Sequence, residues 1–130
     1  MRKALIVEDD KDISRLIYYN LQKEGFSVKE AHDGYQAQRL LKEDQFGIVI
    51  LDLMLPGIDG FQICRELKAN NNSAVFVIVV SAKNSPQDKL FAHILGADCY
   101  LEKPFSILTL VNMVNEFSVL SEKNFLVTNA

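Results

Sequence analysis

Short runs of continuous apolar residues alternate in this chain with longer stretches in which apolar positions recur every three or four residues. The runs Ala4-Leu5-Ile6-Val7, Ile48-Val49-Ile50-Leu51 and Val75 to Val80 are short and rich in β-branched residues, which is the pattern of strands buried on both faces. Phe26-Ser27-Val28-Lys29-Glu30-Ala31 alternates apolar and polar, the pattern of a strand with one wet face. With Cys99-Tyr100-Leu101 these runs predict strands over 3–8, 26–31, 47–51, 75–80 and 98–102. The helical periods between them predict helices over 11–24, 34–44, 60–69, 85–95 and 105–118. Gly25 and Gly96 follow the first and fourth of these, where a helix commonly ends on a left-handed residue.

Regular strand–helix alternation implies an α/β domain, with crossover units around one parallel sheet. The alternating second strand belongs at an edge and the continuously apolar first, third and fourth strands inside. With right-handed crossovers, the spatial order 2-1-3-4-5 satisfies that constraint, flanked by five helices in a doubly wound arrangement. Its crevice opens between strands one and three, at their carboxyl ends.

A chain of 130 residues, 48% hydrophobic and 24% charged, fits one globular domain. A net charge of −3 offers no basic surface for direct nucleic-acid binding. No apolar run is long enough to span a bilayer, and the one after Met1-Arg2-Lys3 is too short for a signal-peptide core, so no membrane role and a cytoplasmic location are expected. Cys64 and Cys99 stand in no metal or redox spacing and read as small buried hydrophobes in a reducing compartment.

The chemistry gathers at the strand ends. Glu8-Asp9-Asp10, Asp52, Ser81 and Lys103 each follow an apolar run, so parallel pairing brings them into one crevice. Converging carboxylates repel unless a cation holds them ionised, and ligands that are all oxygen favour Mg2+, or Mn2+, over zinc. Asp10 has an equally good reading as a helix cap. Asp52 opens Asp52-Leu53-Met54-Leu55-Pro56-Gly57-Ile58-Asp59-Gly60, a Pro/Gly loop of the kind that carries functional residues. Each of Asp52, Ser81 and Lys103 alone could be an ordinary turn or surface residue. Together they are what a phosphoryl group on a carboxylate requires. His32 and His93 are expected away from strand ends, with packing roles.

The chain resembles the receiver domains of response regulators in two-component signalling, across roughly residues 1–120. The matching segments are Ile6-Val7-Glu8-Asp9-Asp10, Leu51 to Gly60, Val79-Val80-Ser81-Ala82-Lys83, Gly96-Ala97-Asp98 and Tyr100-Leu101-Glu102-Lys103-Pro104-Phe105. The resemblance implies the flavodoxin-like fold with the same strand order. It makes residues 1–120 the receiver and residues 121–130 a tail or the start of a linker. Asp52 is implied as phosphoacceptor, supplied by a phosphohistidine on a sensor histidine kinase or phosphotransfer protein. It implies Mg2+ held by Asp9, Asp52 and the Met54 backbone carbonyl, with Glu8 acting through water. Lys103 would bind phosphoryl oxygens, Ser81 and Tyr100 would form a switch, and the Lys103–Pro104 bond would be cis. Such a domain is a phosphoacceptor rather than an enzyme with turnover.

The output expected from the resemblance is a change in the face built from helix four, strand five and helix five, read by an effector or by a homodimer that forms on phosphorylation. In helix five the spacing places Ile107, Leu110, Val111, Val114 and Phe117 on the core face. Leu108 and Val119 fall on the opposite polar arc, with Met113 and Leu120 on its shoulder, which suggests a contact surface. Glu116 is the one charge from Ser106 to Leu120, which disfavours a dimer held by salt bridges there. Met54 and Lys83 stand where dephosphorylation is tuned in the family. Met54 cannot orient a water, so a long-lived phosphoaspartate is expected. Two rivals remain: a Mg2+-dependent phosphatase with Asp52 as nucleophile, disfavoured because Met54 stands where a second acid is wanted, and a degenerate receiver that binds partners without phosphorylation.

Overall fold

The computed structural model describes residues 2–70 and 75–117. Its elements in chain order are β1 (Lys3–Val7), α1 (Lys11–Lys23), β2 (Ser27–Ala31), α2 (Gly34–Glu43), β3 (Ile48–Leu51), α3 (Gly60–Asn70), β4 (Phe76–Ser81), α4 (Pro86–Ile94) and β5 (Cys99–Glu102). A fifth helix, α5, covers residues 107–117. All ten elements predicted from the pattern are present, with the described ends displaced by a residue or two at most, as frayed helix ends and strand margins allow; the end of the fifth helix, predicted at 118, lies outside the described residues. Val119, Leu120 and the tail from 121 lie outside the described residues.

The five strands form one parallel sheet in the order β2-β1-β3-β4-β5. β1 and β3 are buried along nearly their whole length, while β2 alternates between exposed and half-buried until Ala31. That contrast decides which strand takes the edge: a central strand must be apolar on both faces because helices cover both. Side chains alternate across the sheet and split the core in two. Leu5, Val7, Val49, Leu51, Val77 and Val79 pack under α2, α3 and α4. Ala4, Ile6, Ile48, Ile50, Ile78 and Val80 pack under α1 and α5.

The helices start and stop on readable signals. Asp10, Asp33 and Ser85 cap α1, α2 and α4 by accepting first-turn amides, which satisfies donors that a helix start leaves open. Gly25 and Gly96 have φ of +92° and +112°, the left-handed conformation expected after α1 and α4. On α5, Leu110 and Val114 are fully buried, while Ile107, Val111 and Phe117 are half-buried and Leu108 is 65% exposed. Phe117 stacks on Phe76 at 4.6 Å, fastening the helix to the start of β4. Among the described residues no helix is long and apolar enough to cross a membrane.

Candidate functional site

The sheet register builds the site. Val7 pairs with Leu51, and the Asp52 N–H continues the ladder by donating to the Val7 carbonyl at 2.9 Å. Glu8 and Asp52 therefore leave adjacent strands at the same level. Ser81 pairs with Glu102, and the Lys103 N–H donates to the Ser81 carbonyl at 2.9 Å. The ends of β1, β3, β4 and β5 thus carry Glu8-Asp9, Asp52, Ser81 and Lys103 at one end of the sheet.

Lys103 is the hub of this crevice. Its Nζ lies 2.6 Å from Glu8 Oε1 and 2.9 Å from Asp52 Oδ2. The second oxygen of each acid is also taken: Asp52 Oδ1 accepts from the Met54 N–H at 2.9 Å, and Glu8 Oε2 from the Asp10 N–H at 3.1 Å. Glu8 and Asp52 are buried, whereas Asp9 is exposed at the crevice mouth. One carboxylate oxygen from each of Glu8, Asp9 and Asp52 lies within 4.8 Å of the others. Asp10 stands apart: its side chain accepts the Asp12 and Ile13 amides at 3.0 and 3.1 Å and serves as the α1 cap. The Lys103–Pro104 peptide is cis.

Burial governs the charges here. It pushes the Glu8 carboxyl up to about 7, outweighing the hydrogen bonds from Lys103 and Asp10 that pull it down. For Lys103, burial acts to lower its pKa, but the Glu8 and Asp52 carboxylates overrule it and hold the ammonium above its ordinary range. Three carboxylates against one ammonium leave the crevice net negative, and its side-chain donors to a metal are all oxygens. That set suits a hard divalent cation such as Mg2+.

Ser81 is fully buried, and its Oγ accepts the Lys83 N–H at 3.2 Å. Tyr100 is half-buried, its phenol raised by burial, and its O–H donates to the Lys83 carbonyl at 2.6 Å. The two residues expected to act together are therefore joined through the backbone of one loop residue, a link no sequence pattern displays. The Lys83 ammonium lies 5.3 Å from the centre of the Phe61 ring, which packs on Phe91 of α4 at 4.9 Å.

His32 departs from the expectation. It directly follows β2, at the carboxyl end of a strand, and its Nδ1 lies 3.0 Å from the Glu8 carbonyl. The signal was available in its position after the alternating run. His93 lies exposed on α4. Cys64 and Cys99 belong to cores on opposite faces of the sheet. Burial raises both thiols, Cys64 to about 11, which favours the protonated form.

The response regulator receiver domain family matches residues 4–115. The receiver domain of Francisella response regulator 1452 is 31% identical, with a TM-score of 0.84 over 93% of this chain and 99% of that one. The BeF3-activated receiver domain of DrrB is 34% identical, with a TM-score of 0.81 over 90% of this chain and 97% of that one. The response regulator DrrB, a Thermotoga maritima OmpR/PhoB homolog, is 33% identical with a TM-score of 0.84 over 93% of this chain and 54% of that one. A CheY-like receiver from Methanospirillum hungatei is 24% identical with a TM-score of 0.88 over 95% of this chain and 98% of that one, and speaks for the fold alone. With a family match across nearly the whole described domain, this chain belongs to the response regulator receiver domain family.

Proposed function

We propose that this domain accepts a phosphoryl group on Asp52 from a phosphohistidine of a sensor histidine kinase or phosphotransfer protein. The observation that carries the reading is the setting of Asp52: buried at the end of β3, one oxygen on Lys103 and the other on the Met54 N–H, beside Asp9 and Glu8. In the transfer a carboxylate oxygen of Asp52 bonds to phosphorus as the phosphorus–nitrogen bond to the donor imidazole breaks. The transferring group spreads negative charge over three oxygens. Lys103 compensates that charge as a compact cation whose ammonium the acids keep protonated. Asp9, Asp52 and the Met54 carbonyl would hold Mg2+, with Glu8 acting through water; when bound, the ion supplies electrostatic neutralisation of the phosphoryl oxygens. The relative activated by BeF3, 34% identical, supports the same reading.

The domain acts as a phosphoacceptor with slow self-catalysed loss of the group, not as a turnover enzyme, in the cytoplasm. Ser81 would hydrogen-bond the arriving phosphoryl group, releasing the Lys83 loop that it shares with Tyr100 and biasing the α4-β5-α5 face toward an effector or a second copy. Leu108, exposed on the polar arc of α5, would lie in that contact. Intact mass after incubation with a small-molecule phosphodonor, with and without Mg2+, tests the acceptor. A metal-dependent, hydroxylamine-labile adduct is expected on the wild type and none on Asp52→Asn. No adduct would leave a phosphorylation-independent binding module, and continuous phosphate release would mark a phosphatase. The same time course reads the adduct lifetime: the exposed Met54 side chain has no group to orient a water, and rapid decay would overturn that argument.

A further inference from the structure

His32 occupies a hydrogen-bonding position that the backbone vacates. The Glu8 N–H donates to the Ala31 carbonyl at 2.9 Å, the last rung between β1 and β2. In a continued parallel ladder the Glu8 carbonyl would next accept the amide of Asp33. The chain turns away instead, because Asp33 caps α2 and the His32 N–H donates to Gln36 Oε1 at 2.8 Å. The His32 imidazole fills the gap, its Nδ1 at 3.0 Å from the Glu8 carbonyl. A carbonyl oxygen only accepts, so Nδ1 carries the proton, and the tautomer is set by the bond it makes.

Glu8 is thereby held at four points. Ala31 and His32 take its backbone N–H and C=O from one side, while Lys103 and the Asp10 N–H take its carboxylate from the other. The next residue is Asp9, the exposed acid of the Glu8-Asp9-Asp52 cluster. The direction in which Asp9 leaves the sheet depends on the peptide that follows Glu8, and the carbonyl of that peptide is the one His32 grips. We infer that His32 is a positioning residue for the acidic crevice: its Nδ1–H fixes the Glu8–Asp9 peptide and so preorganises the carboxylates for a divalent cation. This rests on the cation-assisted phosphoacceptor reading above. Hydrogen-bond partners behind metal ligands typically carry about 10-fold to 100-fold in affinity.

Two measurements test it, and the first needs no metal. Long-range 1H–15N spectra of the ion-free protein at about pH 8, above the ordinary imidazole range, should show His32 as the Nδ1–H tautomer. The Nε2–H tautomer would overturn the inference. The second compares His32→Asn with His32→Leu. The Asn amide nitrogen stands where Nδ1 stands and donates, whereas Leu fills similar space without a donor. Mg2+ titration followed at the Asp9 and Asp10 amides should give His32→Leu an affinity about 10-fold below the wild type, with His32→Asn close to the wild type. Equal affinities for wild type and His32→Leu, or equal losses in both variants, would overturn the positioning role while leaving the phosphoacceptor reading standing. A wild type that binds no Mg2+ would overturn both.

Discussion

Replacing Glu8 by Gln tests the electrostatics of the crevice, and the sign of the effect follows from burial. Glu8 is 2% exposed, and burial raises its carboxyl from 4.5 to about 7 against the hydrogen bonds of Lys103 and Asp10. An unfolded chain returns it to the lower value, so between the two the folded protein holds a proton that the unfolded chain has lost. Stability therefore falls as pH rises through this window, and above about 7 the fold bears the whole cost of an ionised buried acid. At about 1.4 kcal/mol per tenfold change in proton affinity the shift corresponds to about 3 kcal/mol. Solvent entering beside exposed Asp9 screens this to about 2 kcal/mol. Gln carries no charge and keeps an acceptor for Lys103, but its amide nitrogen replaces Oε2 opposite the Asp10 N–H, so that hydrogen bond is lost at every pH. In chelator, the stability of Glu8→Gln relative to the wild type should rise by about 1 to 2 kcal/mol between about pH 5 and about pH 8, on top of a pH-independent cost of about 1 kcal/mol for the lost hydrogen bond. Urea unfolding followed by circular dichroism across that range measures it. Mg2+ at ten times its Kd should add about 1.4 kcal/mol to the wild type and less to the variant. A gap that stays flat with pH, or one that moves against the variant as pH rises, would refute the burial argument.

Two neighbouring leucines on α5 should separate core from surface. Leu110, fully buried, should cost about 2 to 5 kcal/mol as Leu110→Ala. Leu108→Asp, at a position 65% exposed, should change stability by no more than about 0.5 kcal/mol. It should abolish phosphorylation-dependent self-association or effector binding in light scattering and pull-down. Unchanged association on phosphorylation would remove Leu108 from the interface. For Gly60→Ala, a Cβ at residue 60 would lie 2.5 Å from Leu53 Cα and 2.7 Å from the Asp52 carbonyl oxygen. Both obstacles are backbone, so the loop bearing Asp52 must shift. A loss of about 2 kcal/mol together with slower phosphorylation by mass is expected, and wild-type stability would show that the loop yields freely.

Much of this was legible because burial imposes period and composition. The unbroken apolar runs of β1 and β3 identify central strands, since a strand covered by helices on both faces cannot carry a polar side chain on either. The alternation from Phe26 to Ala31 identifies the edge by the same logic. Asp10 shows where pattern stops: it sits among acids of identical type, and only its bonds to the Asp12 and Ile13 amides separate a helix cap from the cluster of Glu8, Asp9 and Asp52. α4 marks another limit. Leu90, Phe91 and Ile94 are large and apolar yet 49% to 67% exposed, while small Ala92 is fully buried, because the closeness of helix to sheet, not hydrophobicity alone, decides which residue faces inward.

The sequence by itself determined the alternation of elements, the edge and central strands, and the placing of acids, hydroxyl and lysine just beyond strand ends. Those properties follow from local period and from the rule that parallel strands share one carboxyl end. Tertiary structure alone decided that Lys103 bridges Glu8 and Asp52, that Ser81 and Tyr100 meet at the backbone of Lys83, and that the His32 ring completes a ladder its own backbone leaves. Lys103 reaches Asp52 across 51 positions of chain, and His32 reaches Glu8 across 24. Such pairings depend on strand register and on where each loop turns. A one-dimensional pattern fixes the face a side chain points to, but the partner that waits there is set by the three-dimensional path of the rest of the chain.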